Sequence, residues 1–146
     1  MFKHILLATD GSAASAKAAA MAVALARFHG AKLTAAFVVD PFPYLGIGDT
    51  NPMGLHAYLS AARDHAAQAH ADVIALCDAQ LPGVDLQLRL LEDVTAAKGV
   101  LECARQEHCD LIVAGSHGRT GLDNLLLGSV AVKLVTMAPV PVLIVR

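Results

Sequence analysis

Apolar and polar positions along the chain follow two alternating patterns. Short runs rich in apolar and β-branched residues predict five strands, at 2–8, 32–39, 84–91, 110–114 and 141–145. Between them, apolar residues recur at three- and four-residue steps, which is the spacing of an amphipathic helix. The clearest helices are predicted at 13–29, ending at Gly30, and at 55–79. Strands that alternate with helices in this way predict a parallel sheet with helices on both of its faces.

The last two predicted strands indicate how the layers are arranged. Both are almost continuously apolar, as expected of strands that helices cover on both faces. We therefore expect an α/β fold, a three-layer sandwich around a five-stranded parallel sheet. The length of 146 residues suits a single domain covering 1–146.

Composition and charge argue against several classes of partner. Hydrophobic residues make up 55% of the chain, but the longest apolar run, 18–26, is too short to cross a bilayer. A net charge of −2 and the absence of tryptophan argue against nucleic acid, since phosphates attract clustered basic residues and bases stack on aromatic rings. The first residues show no signal-peptide pattern and the three cysteines lack CxxC spacing, so we expect a cytoplasmic protein with reduced thiols.

The segment 40–52 lies between the second predicted strand and the second predicted helix. Its three prolines and two glycines predict an irregular loop. A loop of this length can be a functional cover over a site or a variable surface connection, and both interpretations stay open.

Candidate chemistry is expected at one edge of the sheet. Ligands of open α/β sheets bind at the carboxyl ends of the strands, where loops diverge and helix N-termini point into a crevice. Three segments follow predicted strands at that edge, namely 8–12, 38–41 and 115–121. We expect them to converge on one crevice.

The third of these segments has the residues of an anion-binding loop. Glycines at 115, 118 and 121 permit a positive φ and a close approach of the backbone, so successive amides can turn inward. Gly128 and Ser129 are predicted to open the next helix, whose free amides and dipole favour a second anionic contact. An ordinary glycine-rich turn followed by a serine N-cap fits the same residues.

The spacing of these residues also carries a family resemblance. Glycine, two residues, glycine, nine residues, then glycine and serine, running through 115–129, resembles the ATP-binding signature of the universal stress protein family. The similarity extends to 5–12, 109–116 and 139–145, and so covers the whole chain. It implies an adenine-nucleotide alpha-hydrolase-like fold with strand order 3-2-1-4-5. It further implies a stress-response sensor or regulator that binds ATP, with Mg²⁺ held through the phosphates, and a homodimer in which the C-terminal strands, here 141–145, meet.

The resemblance implies nucleotide-binding residues in all three segments. They are Ala8, Thr9, Asp10, Val38, Val39, Ala114, Gly115, Ser116, His117, Gly118, Arg119, Gly128, Ser129 and Val130. Among them, Gly115, Gly118, Gly128 and Ser129 are expected to contact ribose and phosphates, and Asp10 to face the nucleoside.

Two assignments within this set stay open. The adenine edge is expected to meet the backbone of Val38 or Val39, because a base at a strand end is recognised by main-chain groups. Arg119 is expected either to pair with the triphosphate or to be solvated, since a guanidinium in a surface loop does both.

One departure from the family pattern concerns 91–94, after the third predicted strand. Members commonly carry a glycine and a proline before the helix, whereas this chain has Leu91, Glu92, Asp93 and Val94. The change lies in a turn away from the phosphate-binding segment, so we expect nucleotide binding to be retained.

Other nucleotide and metal motifs do not match. The chain has no GxxxxGK[ST], and its first strand is not followed by GxGxxG. His65 and His70 lie about 140° apart on the predicted helix, so they do not form a ligand pair and no protein metal site is expected. His56, Arg63 and His70 share a seven-residue period, which is typical of a solvated face.

Catalysis has weaker sequence support than binding. Hydrolysis needs a base beside the γ-phosphate, and Asp10 and His117 are the only nearby candidates. Neither has an orienting partner visible in the sequence, so binding or sensing is expected, with weak ATP hydrolysis at most. Two alternatives stay open, a nucleotide-free dimeric interaction module of the same fold and a slow ATPase.

Overall fold

The computed structural model describes residues 1–41, 52–118 and 126–146, within which strands and helices alternate. The elements are β1 His4–Thr9, α1 Ala13–His29, β2 Lys32–Val38, α2 Pro52–Asp78, β3 Leu86–Leu91, α3 Ala96–Gln106, β4 Leu111–Gly115, α4 Ser129–Met137 and β5 Val142–Val145. All the paired strands run parallel, in the order β3-β2-β1-β4-β5. The predicted fold class and strand order are confirmed.

Alternation along the strands divides the core between the two faces of the sheet. Ile5 and Leu7 of β1 are fully buried against α1 and α2, whereas Leu6 between them is fully buried against α3 and α4. The alanines of α1, including Ala18 and Ala22, are also fully buried. Small side chains let this helix approach the sheet closely, so the residues that follow β1 stay near the ends of its neighbours.

Two of the turns with left-handed backbone conformations bear on the sequence predictions. Gly30 ends α1 with φ 63°, as the sequence predicts. Asp93, in the turn that departs from the family pattern, has φ 58°. Aspartate tolerates this region better than most residues, so the turn forms without the glycine.

The start of α2, after the segment that follows β2, differs from the sequence prediction. Helix α2 begins at Pro52 rather than at residue 55, which suits proline because a first-turn residue needs no N–H donor. Most of the expected loop at 40–52 lies outside the described residues. Along the described parts of the chain, no helix combines the length and the apolar character needed to span a bilayer.

Cys77, Cys103 and Cys109 are free and buried, in agreement with the expectation of packed, reduced thiols. Burial raises the pKa of the Cys109 thiol to about 12, with the nearby Cys103 adding to the effect. A thiol that remains protonated is a poor nucleophile and a poor metal ligand.

Two histidines are partly buried within the sandwich. The Nε2 atom of His4 lies 2.8 Å from the hydroxyl of the buried Thr34, and desolvation, followed by the charge of Lys32, lowers the His4 pKa. His70 packs edge-on against Phe37 at 6.5 Å between ring centroids, and burial lowers its pKa. The prediction that His70 lies on a solvated face is therefore wrong, because α2 turns this position toward β2.

These histidines predict a loss of stability in acid. Their folded pKa values lie below the ordinary 6.5, so the unfolded chain binds protons first as the pH falls. We expect the free energy of unfolding to decrease below about pH 6.5 and to level off once the folded pKa values are passed. Urea unfolding at about pH 7.5 and about pH 5.5 measures this difference.

A double variant, His4→Gln with His70→Gln, provides the control. It should be less stable than the wild type at both pH values, because packing is disturbed, but it should show a smaller difference between them. An undiminished pH difference in the double variant would contradict the assignment to these two histidines.

Candidate functional site

A cavity of about 420 Å³ opens at the carboxyl ends of the strands, a volume in the usual range for small-molecule sites. The described parts of the three segments expected to converge there do so. Its lining includes the predicted site residues Ala8, Thr9, Asp10, Val38, Val39, Ala114, Gly115, Ser116, His117, Gly118, Gly128, Ser129 and Val130. Arg119, the remaining predicted residue, lies outside the described residues.

The end of β1 is held by a network of polar side chains. Ser12 is the N-cap of α1, and its hydroxyl accepts from the Ser15 amide at 3.2 Å. The Asp10 carboxylate accepts from the Ser12 amide at 2.9 Å. The Ser15 hydroxyl accepts from the Asp10 amide at 3.1 Å and lies 2.6 Å from the hydroxyl of Thr9. These contacts fix the Asp10 backbone and one carboxylate oxygen.

The two halves of the glycine-serine signature are joined through Ser116. Its amide donates to the Val145 carbonyl at 2.9 Å, and its own carbonyl accepts from the Gly128 amide at 2.7 Å. The hydroxyl of Ser116 lies 2.9 Å from Nδ1 of His117. The Gly128 contact brings the start of α4 against the end of β4, although the two are well separated in the sequence.

Helix α4 begins beside the cavity with no side-chain cap hydrogen bond. Its N-cap is Gly128, and Ser129 is its first helical residue, so the alternative of a serine N-cap does not hold. Without a side chain at the N-cap, the amides of the first turn are not occupied by a capping oxygen. Those amides and the helix dipole favour an anion at this end of α4.

The glycines of the signature serve close packing rather than unusual backbone angles. In the described ranges, the glycines with positive φ are Gly11 and Gly30, so Gly115 and Gly118 do not use the positive φ that glycine permits. A Cβ on Gly115 would lie 2.9 Å from the carbonyl carbon of Ala14, and one on Gly118 would lie 3.0 Å from Oδ2 of Asp10. Helix α1 and the Asp10 carboxylate occupy the space that side chains would need. Gly121 lies outside the described residues.

The end of β2 supplies main-chain groups to the opposite side of the cavity. The amide of Val39 donates to the Leu91 carbonyl at 2.8 Å, so any ligand contact to the main chain of Val39 must use its carbonyl group. Tyr58 of α2 donates its hydroxyl to the Asp40 carbonyl at 2.8 Å, which ties the helix to the same strand end.

Several lining residues were not identified from the sequence. They are Ser15, Ala36, Phe37, Tyr58, Ala61, Ala62, His65, Ala96, Val100 and Ala131. The four from α2 follow helical spacing, from Tyr58 to His65, but the same spacing describes a core-facing stripe. The position of α2 beyond the end of β2 shows that this face lines the cavity, which the helical spacing alone does not distinguish from a core-facing stripe.

Apart from Tyr58, the described lining has few ionisable side chains. They comprise the carboxylates of Asp10 and Asp40 and the imidazoles of His65 and His117, with no lysine or arginine among them. The described ranges also contain no cluster of three histidine, cysteine or acidic side chains that could hold a metal. Within the described lining, the groups that favour an anionic ligand are therefore main-chain amides.

The close contacts of the glycines predict different responses to an added methyl group. Gly115→Ala forces a Cβ against the main chain of Ala14, so we expect unfolding to become easier by about 2 kcal/mol. Gly118→Ala meets a carboxylate oxygen that can move, so the loss should stay below about 1 kcal/mol. Urea unfolding measures both.

Gly83→Ala is the matched control, because nothing lies within 4 Å of its added Cβ. It should leave the free energy of unfolding almost unchanged. A Gly115→Ala variant as stable as Gly83→Ala would show that α1 and β4 are not packed as closely as described.

Comparison with known proteins identifies relatives of this chain. The chain matches the Universal stress protein family over residues 1–146. It is 40% identical to a universal stress protein of Thermus aquaticus, with 100% of both chains covered. The structure is similar to that of the universal stress protein UspA from Lactobacillus plantarum, with a TM-score of 0.81, 26% identity and coverage of 99% of this chain and 97% of the other.

A further similar structure contains a nucleotide. It is a universal stress protein in complex with cAMP, with a TM-score of 0.63, 26% identity and coverage of 99% of this chain and 97% of that one. The family match, the sequence identity and the similarity of fold all point to the same family. This chain belongs to the universal stress protein family.

Proposed function

We propose that this chain binds ATP in the cavity at the carboxyl ends of the strands and acts as a nucleotide-dependent sensor or regulator in the stress response. The observation that carries the proposal is the hydrogen bond from the Gly128 amide to the Ser116 carbonyl. It brings the uncapped start of α4 beside the end of β4, within the cavity that Asp10 and Val39 also line. The cAMP complex of a family member supports an adenine nucleotide as the ligand class.

The base end of the ligand is assigned to the end of β2. Since the Val39 amide is already bonded to Leu91, the Val39 carbonyl is the group we expect to contact the base. A carbonyl accepts a hydrogen bond from the exocyclic amino group of adenine, whereas the corresponding oxygen of guanine offers no proton.

The phosphate end is assigned to Gly115, Gly118 and the first turn of α4. Anions are stabilised there by main-chain amides and by the helix dipole. Because the described lining adds carboxylates and no lysine or arginine, Mg²⁺ bound to the phosphates would reduce repulsion from Asp10. Nε2 of His117 is buried and has no partner among the described groups, so a ligand oxygen could satisfy it.

Binding is better supported than catalysis. Both candidate bases already make hydrogen bonds within the loops, Asp10 with the Ser12 amide and His117 with the Ser116 hydroxyl. These contacts orient the loops rather than an attacking water.

We place the function in the cytoplasm, where the three buried, free cysteines would remain reduced.

Bound nucleotide provides a direct test of the proposal. The purified protein is denatured with acid, and the supernatant is separated by chromatography. Release of ATP supports the proposal, and release of ADP indicates turnover. Adding ATP with Mg²⁺ at about a hundredfold its Kd should stabilise the fold by about 2.7 kcal/mol.

Two variants control for unspecific effects. Gly118→Val should abolish the stabilisation by ATP, because the larger side chain enters the space beside Asp10. Gly83→Val, at the amino end of the sheet, places its Cβ in open space and should respond as the wild type does. The absence of both released nucleotide and stabilisation in the wild type would leave the nucleotide-free interaction module as the better explanation.

We also propose a homodimer formed through the C-terminal strand, 141–145. Strand β5 is the last in the sheet, and its residues are only half-buried. Neighbouring α4 exposes Val135 to 52% and Met137 to 64%. An apolar strand at a sheet edge is prone to pair with another strand, which a second copy would supply.

Light scattering at about micromolar concentration should give the mass of a dimer. The Pro141 carbonyl accepts from Ile112 of β4 and the Val145 carbonyl accepts from Ser116 directly after β4, so the alternating Val142 amide points to the outer edge. Val142→Pro removes that donor from an edge position and should shift the protein toward monomer. A monomeric wild type would contradict the dimer.

A further inference from the structure

Ser15 is a buried hydroxyl residue at the ligand cavity. It lies in the first turn of α1, is 3% exposed and lines the cavity floor. Its hydroxyl accepts from the Asp10 amide at 3.1 Å and contacts the Thr9 hydroxyl at 2.6 Å. The side chain therefore connects α1 to the last residue of β1 and to the residue after it.

The protons of this network can be followed from one group to the next. A hydroxyl donates one proton and accepts up to two. Since Ser15 accepts from the Asp10 amide, it uses its own proton when it donates to Thr9. The Thr9 proton is then left to point into the cavity that Thr9 lines. In the opposite direction Ser15 would accept twice, and its own proton would be the one facing the cavity. Ser15 is less exposed than Thr9, at 3% against 7%, so the first direction leaves the free proton on the more accessible hydroxyl.

The hydrogen bond from the Asp10 amide to the Ser15 hydroxyl also affects the position of the Asp10 carboxylate. One carboxylate oxygen accepts from the Ser12 amide at 2.9 Å. The other, Oδ2, stands 3.0 Å from the position that a Cβ on Gly118 would take. Since the Asp10 main chain is bonded to Ser15, the separation between this carboxylate and Gly118 depends on the Ser15 hydroxyl.

We propose that Ser15 is a positioning residue that directs the Thr9 hydroxyl proton toward the bound adenine nucleotide and holds Asp10 beside Gly118. This inference rests on the proposed nucleotide-binding function. In this arrangement Thr9 is the residue that touches the ligand, and Ser15 acts through it and through Asp10. The hydrogen-bond chain from the Asp10 amide through Ser15 to Thr9 is polarised in one direction.

The first part of the test concerns the Thr9 hydroxyl. The Kd for ATP with Mg²⁺ is measured by calorimetry for Thr9→Val, which keeps the shape and removes the hydroxyl, and for Thr9→Ser, which keeps the hydroxyl. Thr9→Val should bind about tenfold more weakly, and Thr9→Ser should stay within about twofold of the wild type. Equal affinity of Thr9→Val and the wild type overturns the proposal, and this arm still decides if Ser15→Ala does not fold.

The second part separates positioning from a purely structural role. Ser15→Ala should also weaken ATP binding about tenfold. Combining it with Thr9→Val should cost much less than the product of the two single losses, because both variants break the same chain. Fully multiplicative losses would show that Ser15 does not act through Thr9 and would overturn the proposal.

Thr34→Val is the matched stability control. It removes a buried hydroxyl that bonds His4 near the amino end of β2, away from the cavity. The variant should destabilise the fold while leaving the Kd for ATP unchanged. If Thr34→Val weakened ATP binding as much as Ser15→Ala does, the effect would be assigned to stability and the proposal would be overturned. Absence of nucleotide binding by the wild type would instead refute the proposed function itself.

Discussion

The close approach of α1 to the centre of the sheet governs the geometry of the whole site. The helix starts directly after β1 and crosses the end of β4, where the main chain of Ala14 leaves no room for a Cβ on Gly115. Buried alanines along the helix permit this short separation. The end of β1, the start of α1 and the end of β4 are thereby held together as the floor of the cavity.

Polar groups at this floor make hydrogen bonds within a largely apolar sandwich. Thr9 and Ser15 are 7% and 3% exposed, and an unbonded hydroxyl there would carry a desolvation cost of about 1–3 kcal/mol. Their mutual contact and the Asp10 amide remove most of that cost. The same bonds orient the groups that line the cavity, so stability and the proposed binding function use one network.

The charge distribution is consistent with a site that binds anions through the backbone. The described lining includes the carboxyl groups of Asp10 and Asp40 and no lysine or arginine, and the start of α4 contributes uncapped amides. Main-chain amides have fixed positions and carry no net charge, so they bind phosphates without requiring a cationic side chain. Such a site would depend on a divalent cation on the ligand more strongly than one built from lysine and arginine.

The sequence by itself determined the fold class, the approximate positions of all five strands and the three segments that meet at the site. These depend on local patterns, namely the apolar periodicity of β1 to β5 and the spacing of glycines from 115 to 128. Only the tertiary structure decided why Gly115 and Gly118 are glycines, since their neighbours, Ala14 and Asp10, are distant in the sequence. It also decided which face of α2 covers the cavity and that Ser15 reaches Thr9, because helical spacing does not specify what a helix packs against.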